Sequence, residues 1–513
     1  MNSGISGSAR KKIFGGAAGW LLLAVIFLAW GGALLCWFAS DDFLWLDVSR
    51  LRPVIASFDG AAGVMNDFRP VVRVSFLIDW WLYGDQAIGW HITNLALHFG
   101  CAWLFWRLVS RWLGGEVALL AALLFAASPL LQENVIWVSG RSGSLSCLFG
   151  LVSLWCFARY LETPRRRWLV ALIAADLFAF ASYEPMIVLP LFHIGMVTAE
   201  RKRPWRALGW LLAAHLALAI YRRLVLGSHI SYGFRPVTLG SIAAIAHDYG
   251  PFLRQLLVPG WIGLLAVLAL LVPRNRDLGR AAGWALAGVL VVMLPYVVFY
   301  GVASRFFYHA MLGIALIFAL AITAVARLLP RRTGSGVIVV LGGLLLVREI
   351  GHARAEARDW IDAGVVGQNL VAQIKAADPA PDPNALHVVL DLPALVGSGE
   401  LFFTYPDRAI RRFSRLPFDA LLGGHQITLT SGRGEMDYLR KLLGEEDRTR
   451  ADAGMPRLLC LDVKLAAAAT PGGFLHGAAA CGLDVLEVRN GAVVKVGQSE
   501  FFEWFNQATK GIS

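Results

Sequence analysis

The amino-acid sequence predicts a polytopic α-helical membrane protein with about eleven membrane-spanning helices and a C-terminal extracytoplasmic α/β domain. The first observation is composition: of 513 residues, 57% are hydrophobic and only 16% are charged, too few charges to cover a soluble surface of this size. The second is that the apolar residues form runs near the length of about 20 residues that crosses a bilayer. The third is that Lys and Arg concentrate in alternate loops, as cytoplasmic loops require.

Eleven apolar runs are interpreted as membrane spans. They lie at residues 19–38, 90–106, 117–133, 143–158, 168–182, 185–199, 207–221, 256–273, 282–301, 309–326 and 336–347. The first run resembles a secretory signal, but it is long for one and no small-residue cleavage site precedes Asp41. We therefore expect it to be retained as a helix.

The loop charges predict the orientation. With a cytoplasmic N-terminus, the inner segments carry 19 Lys and Arg in 56 residues and the outer segments carry ten in 103. The inner segments are 1–18, 107–115, 159–167, 201–206, 274–280 and 327–333, and the outer ones are 39–89, 134–142, 183–184, 222–255 and 302–308. The asymmetry predicts a cell-membrane protein (in the inner membrane if the source is bacterial) whose C-terminal domain is extracytoplasmic. Positive loops beside anionic lipid explain the net charge of +11, so no nucleic-acid partner is expected.

Two domains are expected, a membrane domain over 1–350 and an outer domain over 351–513. In the membrane domain, the first outer loop (39–89) contains an apolar stretch at 71–83 that is too short to span, so an interfacial helix is expected. In the outer domain, apolar residues at helical spacing over 360–374 precede strand-like runs and a hairpin signal at Asn490-Gly491. The strand-like runs are 386–390, 427–429, 458–461, 483–489 and 492–496.

The six cysteines suggest no metal site, because none of their spacings matches a known ligand pattern. Cys460 and Cys481 lie in the predicted outer domain, where a disulfide is chemically permitted, and their state is left open. No cofactor is required by any motif: the sequence lacks a P-loop, an HExxH and a GxSxG pattern. Adjacent acids could still hold Mg²⁺ or Mn²⁺ weakly.

Asp41-Asp42 directly follows the first span, at the predicted outer surface. Two acids so close to hydrocarbon are costly unless they meet water, a cation or a reactant. The structural interpretation is a helix end in water. The functional interpretation is a general base with a neighbouring carboxylate that orients it or the acceptor.

Other ionisable residues are predicted on the same membrane face. They are Glu133, Arg141, Glu184, Arg222, Arg223 and Arg305. Each alone is typical of a solvated or salt-bridged helix end. Together they supply acids and arginines from distant segments, as a phosphate-binding site would need. We predict that Arg141, Arg305, Arg222 and Arg223 bind a donor phosphate.

Several motifs resemble those of the transmembrane tetratricopeptide-containing O-mannosyltransferases. Phe68-Arg69-Pro70, Ser75-Phe76, and the stretch from His91 through Asn94 to His98 are similar to that family's "YRPL…SF…HxxNxxLH". The stretch from Ser128-Pro129 through Glu133 to Gly140-Arg141 is similar to its "HPxxTEAVxxxxGR". Ser182-Tyr183-Glu184, Ser304-Arg305…Tyr308 and Asp41-Asp42 also stand at family motifs, in order over about half the chain.

The resemblance implies the GT-C fold, that of integral membrane glycosyltransferases that use a polyprenyl-phosphate-linked sugar outside the cytoplasm. It also adds Arg69, His91 and Tyr308 to the site candidates. Three positions depart from the family: Tyr183 replaces its Lys, Ser304 its Glu and Ser128 its His. The tetratricopeptide repeats are absent, so sugar and acceptor are not transferred with the resemblance.

The resulting hypothesis is an inverting glycosyltransferase. Asp41 or Asp42 would deprotonate an acceptor hydroxyl on a protein, lipid or glycan, and arginines would neutralise the departing lipid phosphate. The alternative is a transporter or flippase of a lipid-linked saccharide, which should place ionisable residues near the bilayer midplane and show internal repeats. A non-catalytic scaffold acting through the outer domain is a third interpretation.

Overall fold

A computed structural model describes residues 7–51, 68–200, 204–226, 250, 276–300, 303–377 and 379, together with short segments between 386 and 503. Those segments are 386–390, 395–396, 399–400, 420–421, 483–489, 491–497, 499–500 and 503. The chain divides into two compact units. The first contains Met1–Cys36 and Val48–Arg358, and the second contains Trp37–Asp47 and Asp359–Ser513.

Thirteen α-helices occur in the described residues. They are α1 (Gly7–Trp30), α2 (Asp42–Leu51), α3 (Pro70–Tyr83), α4 (Ala87–Leu113), α5 (Gly115–Ala127), α6 (Gln132–Val135), α7 (Arg141–Glu162), α8 (Arg166–Ser182), α9 (Leu189–Glu200), α10 (Trp205–Leu226), α11 (Arg276–Pro295), α12 (Tyr308–Ala326) and α13 (Arg331–Ala377). Short 3₁₀ turns occur at Gly31–Leu35, Pro129–Leu131, Glu184–Val188 and Ser304–Phe307, and a π turn at Tyr296–Tyr300.

Ten of the eleven predicted spans fall on these helices, and the run at 256–273 lies outside the described residues. Within the described part of the chain, five helices are long and apolar enough to cross a membrane, or six if one bent pair is counted as a span. The chain is thus a multi-pass membrane protein. The count of eleven spans stays a prediction.

The predicted span at 117–133 is bent in the structure. Helix α5 ends at Ala127, and the chain turns by 57° before it continues through Pro129–Val135. Proline disfavours helical backbone at the residue before it, and Ser128 is extended, with ψ at 122°. Beyond the bend, Pro129–Leu131 is apolar and buried, and Gln132–Val135 carries the polar residues Gln132, Glu133 and Asn134.

Helix α5 lies at the centre of the first unit. It packs against α1, α4 and α12, and nearly all of its residues from Val117 to Ala127 are buried. Its many alanines allow neighbouring helices to approach closely, which is how helices associate in lipid. The indole of Trp30 donates to Ala126 O at 2.8 Å and joins the end of α1 to this centre.

Helix α3 confirms the helix predicted at 71–83, and it buries its charged side chains. Its charged residues Arg73 and Asp79 are buried, while Ile78, Trp81 and Leu82 are exposed. A helix with protein on one side and lipid on the other is expected to show this arrangement. The interfacial depth itself stays a prediction.

The strand predictions at 386–390, 483–489 and 492–496 are confirmed by β1 (Leu386–Leu390), β5 (Leu483–Arg489) and β6 (Ala492–Val496). The other strands are β2 (Leu395–Val396), β3 (Gly399–Glu400) and β4 (Ala420–Leu421). Strands β4-β1-β5-β6 form one sheet, with β1 parallel to β4 and β5 and with β6 antiparallel to β5. The runs at 427–429 and 458–461, and both Cys460 and Cys481, lie outside the described residues. The α/β domain as a whole therefore stays a prediction.

Candidate functional site

Arg141, the first residue of α7, is buried in the first unit and its guanidinium is surrounded by acceptors. Nη2 pairs with Asp79 Oδ2 at 2.5 Å and donates to Trp90 O at 3.1 Å. Nε donates to Asn94 Oδ1 at 2.8 Å, and Nη1 lies 3.5 Å from Ser75 Oγ. The exposed fraction is 0% for the Arg141 side chain and 2% for Asp79, so removing either partner leaves a buried charge unpaired. Arg141 thus binds α3, α4 and α7 together.

The motifs that carry the family resemblance converge on this arginine. The Phe76 ring lies 4.8 Å from the guanidinium carbon, and Asn94 Nδ2 donates to Trp137 O at 3.0 Å. Gly140 packs against the main chain of Glu133, where a Cβ at position 140 would overlap the Glu133 carbonyl oxygen. The Gly-Arg pair therefore combines a close backbone approach with a buried cation.

Tyr308 forms a second buried layer. Its hydroxyl lies 2.8 Å from His98 Nδ1, and His98 Nε2 lies 3.0 Å from Ala126 O. A carbonyl oxygen only accepts, so Nε2 carries the proton and Nδ1 accepts from Tyr308. Tyr308 thereby joins α12 to α4 and to the end of α5. His91, on α4, is also fully buried.

The structure contains two partly exposed polar groups, each centred on a carboxylate, and Glu133 is the centre of the first. Its Oε2 pairs with Arg305 Nη1 at 2.6 Å, and Ser304 Oγ donates to Oε1 at 2.7 Å. The Arg305 guanidinium carbon lies 5.4 Å from the Trp137 ring centroid. The side chain of Arg305 is 35% exposed. We call Glu133, Ser304 and Arg305 the Glu133 group.

Glu184 gathers the second. Arg69 Nη2 lies 3.0 Å from Glu184 Oε2, and Arg222 Nη2 lies 3.3 Å from Oε1. Arg69 also lies over the Tyr183 ring, with Cζ 4.8 Å from its centroid. Burial raises the pKa of Glu184, but the charges of Arg69 and Arg222 outweigh burial and hold this pKa below its ordinary value of 4.5. We call Glu184, Arg69 and Arg222 the Glu184 group.

An aromatic row connects the two groups. Tyr183 lies beside Tyr296, with centroids 6.0 Å apart, and Tyr296 stacks on Phe306 at 4.8 Å. Arg69 lies over Tyr183 at one end, and Arg305 lies 5.3 Å from the Phe306 centroid at the other. The three rings are buried, so the row is a continuous apolar layer inside the first unit with a cation at each end.

An apolar cavity of about 190 Å³ adjoins this row. His309 lines it, and His309 also contacts Tyr296 Oη at 3.3 Å and Ser146 Oγ at 3.0 Å. The remaining lining comes from α4, α7, α9, α11, α12 and the 184–188 turn. A cavity lined this way favours hydrocarbon over water.

Asp41 and Asp42 occupy a tight turn in the second unit. Ser40 has φ of 51°, and the Ala39 backbone N–H donates to Asp42 Oδ2 at 3.0 Å. Asp42 is only 2% exposed and begins α2, so its carboxylate fixes the turn. Asp41 is half-buried. In the same unit, a Cβ at Gly364 of α13 would lie 2.8 Å from Trp37 N, so glycine lets this helix pack against the segment leading to the turn.

The structure separates the predicted phosphate-binding arginines. Arg305 and Arg222 lie in the two partly exposed groups, Arg223 is exposed on α10, and Arg141 is buried against Asp79. Arg69, predicted only from the resemblance, lies in the Glu184 group. Sequence reasoning did not select Asp79 or Tyr296. Asp79 had a signal, because a charge inside an apolar helix needs a partner.

Metal binding has no support in the described residues, where no three His, Cys, Asp or Glu side chains are grouped so that they could hold an ion. Weak binding of Mg²⁺ or Mn²⁺ stays a prediction.

Comparison with known proteins confirms the resemblance drawn from the motifs. A family model described as dolichyl-phosphate-mannose-protein mannosyltransferase matches residues 80–224. Protein O-mannosyl-transferase tmtc2 of Xenopus laevis is 33% identical over 103 residues, which is 20% of this chain and 12% of that protein. Human TMTC4 is 35% identical over 103 residues, 17% of this chain and 14% of that protein. Tmtc1 of Drosophila melanogaster is 28% identical over 177 residues, 32% of this chain and 20% of that protein.

The matched segments thus span at most a fifth of the length of these three relatives. Among solved structures, ArnT from Cupriavidus metallidurans in the apo state aligns with a TM-score of 0.49 at 15% identity, over 79% of this chain and 86% of that chain. ArnT bound to undecaprenyl phosphate aligns with a TM-score of 0.44 at 15% identity, over 81% and 86%.

Proposed function

We propose that this chain is a membrane glycosyltransferase that moves a sugar from a polyprenyl-phosphate-linked donor to an acceptor hydroxyl on the extracytoplasmic face, with inversion at the anomeric carbon. The observation that carries the proposal is the pair of partly exposed arginine–carboxylate groups, which lie at the two ends of a buried aromatic row with an apolar cavity beside it. Such a site offers arginines to the phosphate of a lipid-linked sugar and an apolar cavity to its hydrocarbon.

In this proposal Arg69 and Arg222 bind the donor phosphate at one end of the row, and Arg305 is the alternative phosphate site at the other end. Their side chains are 16%, 24% and 35% exposed, and each already pairs with a carboxylate that a phosphate oxygen can replace. Arginine suits this task, because its planar fork matches an oxygen pair and its charge persists at any physiological pH. As the bond from the anomeric carbon to the phosphate oxygen breaks, the same cations stabilise the charge that develops on that oxygen.

Arg141 has a different role in the proposal. With no exposed surface and with Asp79, Asn94 and Trp90 O already bound, it positions the loop that contains Glu133. We therefore assign Arg141 to maintaining the site, and we assign phosphate contact to the partly exposed arginines.

Asp41 is the proposed base. It takes the proton of the acceptor hydroxyl as that oxygen attacks the anomeric carbon on the face opposite the phosphate. The choice between the two acids rests on exposure: Asp42 is only 2% exposed, whereas Asp41 is half-buried. Positioned base catalysis is commonly worth about 10²–10⁴-fold.

Mannose and a protein hydroxyl are the first sugar and acceptor to test, because the relatives are named protein O-mannosyl-transferases. A lipid or glycan acceptor would use the same chemistry. The proposed orientation places 351–513 outside the cytoplasm, and an alkaline phosphatase fusion after Ser513 should then be active in cells.

The test uses the full chain in liposomes with synthetic polyprenyl-phosphate [¹⁴C]mannose and a Ser/Thr-containing peptide. We expect polyprenyl phosphate to be released in step with labelled peptide. Asp41→Asn should lower turnover by at least about 100-fold at unchanged melting temperature, because Asn keeps the size of the side chain. Asp42→Asn should lower both turnover and melting temperature.

Near-normal transfer by both single variants and by the double variant would move the base elsewhere, with Glu133 or Glu184 next to be tested. Movement of intact donor across the bilayer without release of polyprenyl phosphate would instead establish the transporter.

A further inference from the structure

Asp176 and His215 form a polar pair inside the first unit. His215 Nδ1 lies 2.6 Å from Asp176 Oδ2, and the two residues are 5% and 0% exposed. They lie at the middle of the predicted spans 207–221 and 168–182. Ionisable residues at that depth are costly, and the proposed reaction does not use these two. Their retention therefore needs another explanation.

The same part of the fold contains the Glu184 group. Asp176 lies on α8 and His215 on α10, and these helices run in the same direction through the predicted membrane. Helix α8 ends at Ser182, and Glu184 begins the turn that follows it, whereas Arg222 lies on α10 seven residues after His215. The contact 184–222 thus joins α10 to the turn at the end of α8, beyond the contact 176–215 between the two helices.

Apolar side chains fill the interval between the contacts 176–215 and 184–222. Ala179 and Phe180 of α8 belong to one apolar cluster with Leu218 and Ala219 of α10. The Phe180 ring also stacks on the His215 imidazole at 4.6 Å with an interplanar angle of 12°. The imidazole is therefore held at one edge by a carboxylate and on one face by a ring.

Apolar contacts alone do not define the register of α10 against α8, that is, which residues of the two helices lie side by side. Lipid tails are as apolar as the side chains, so helices in a membrane gain little from apolar contact and are aligned by close packing and by hydrogen bonds between helices. A single buried polar contact is a well-attested means of fixing the register of packed helices. The pair Asp176–His215 is placed to do this for α10 on α8.

We infer that Asp176 and His215 are positioning residues for the donor phosphate site, because their hydrogen bond sets the register in which Arg222 meets Glu184. The inference rests on the proposed function, since it assigns the purpose of that register to donor binding. Neither residue touches the donor.

The test compares donor KM, acceptor KM and kcat across four variants. His215→Leu fills similar space without a donor, and His215→Asn keeps an N–H near the position of Nδ1. His215→Leu alone leaves the Asp176 carboxyl buried without its partner. The double variant Asp176→Leu/His215→Leu removes that carboxyl and keeps apolar packing, so it tests the loss of the hydrogen bond alone. Thr323→Ala is the control, because it removes a buried hydrogen bond of 2.7 Å to Ala319 O within α12, a helix that contains neither residue of the pair.

We expect His215→Leu and the double variant to raise donor KM by about 3- to 20-fold, the range for one hydrogen bond between membrane helices, with acceptor KM and kcat nearly unchanged. His215→Asn and Thr323→Ala should stay within about twofold of the parent. A double variant with parental donor KM would overturn the inference, because a merely structural pair can be replaced by apolar packing without loss of donor affinity.

A second measurement does not depend on activity. Cysteines placed at Ala179 and Ala219 should be oxidised to a disulfide efficiently in the parent background and less so with His215→Leu or with the double variant, as scored by mass spectrometry of the linked peptides. An unchanged yield in both would overturn the register claim. If the parent releases no polyprenyl phosphate, the proposed function fails by itself, and the cross-linking result still decides whether the pair sets the register.

Discussion

The arginine at the start of α7 and the arginines at the ends of the aromatic row carry the same charge in opposite surroundings. Arg141 is 0% exposed and binds Asp79, whereas Arg69, Arg222 and Arg305 are 16–35% exposed and pair with Glu184 or Glu133. In the buried pair, removal of one partner leaves the other charged side chain unpaired and out of contact with water. In the exposed groups, water or an incoming anion can replace the lost partner.

The comparison shows that presence in a motif does not identify a ligand-binding arginine. Burial decides whether the guanidinium can contact a ligand. Arg141 and Arg305 both stand at family motif positions, but only Arg305 has surface available to a ligand. Mutations at the two kinds of site should therefore separate stability from donor use.

Arg141→Ala should produce the largest effect. It leaves the Asp79 carboxylate buried and unpaired, which costs about 3–5 kcal/mol, so the variant should unfold or fail to accumulate in membranes. Fluorescence-detected gel filtration after heating measures this. Arg305→Ala is the matched control and should keep the parental melting temperature. Equal stability of the two variants would remove the distinction.

Gly140→Ala should have the second-largest effect. The added methyl group overlaps the main-chain carbonyl of Glu133, and forced overpacking costs about 1–3 kcal/mol. Because position 140 adjoins both Arg141 and the loop of Glu133, melting temperature and activity should fall together. Gly336→Ala, at a helical position with open space around the added atom, should change neither. Parental stability of Gly140→Ala would contradict the close packing described here.

Arg69→Gln should weaken donor use with little effect on stability. Each hydrogen bond to a charged group is worth about 1.5–3 kcal/mol, so donor KM should rise about 10- to 100-fold while acceptor KM stays the same. Arg223→Gln is the control on the exposed face of α10 and should behave as the parent. Unchanged donor KM in Arg69→Gln, Arg222→Gln and Arg305→Gln would place the phosphate elsewhere.

The smallest effect should come from pH. The pKa of folded Glu184 is held below 4.5, its ordinary value, so its ion pairs contribute fully to stability above that pH. The contribution is lost as pH falls through the folded pKa. The difference in melting temperature between the parent and Glu184→Gln should be constant from pH 7 to 5.5 and shrink below 4.5. A difference that persists undiminished at pH 3.5 would show that Glu184 stabilises the protein without its charge.

Periodicity and composition predicted local features well. The helix expected at 71–83 occupies Pro70–Tyr83, and the hairpin signal at Asn490-Gly491 lies between β5 and β6, with Gly491 at φ of 79°. Both depend on residues close in sequence, whose propensities act in the unfolded chain as well.

The site was predicted only in outline, because its contacts join distant segments. Glu184 meets Arg69 from 115 residues away, and Glu133 meets Arg305 from 172 away. No spacing rule encodes such pairs, and a motif does not reveal whether its arginine is buried. Asp176 and His215 were missed for a different reason: a single polar residue barely changes the hydropathy of a run of about 16 apolar ones, so the expectation that charges gather at one membrane face was incomplete.

The Glu184 group carries its own anion before any ligand arrives. Its one carboxylate and two arginines leave one net positive charge, which matches the single negative charge of a phosphodiester donor. After transfer, the lipid ends in a phosphomonoester with about 1.5–2 negative charges at pH 7. If Arg69 and Arg222 bind as proposed, they hold the spent carrier more tightly than the loaded one, and added polyprenyl phosphate should inhibit transfer.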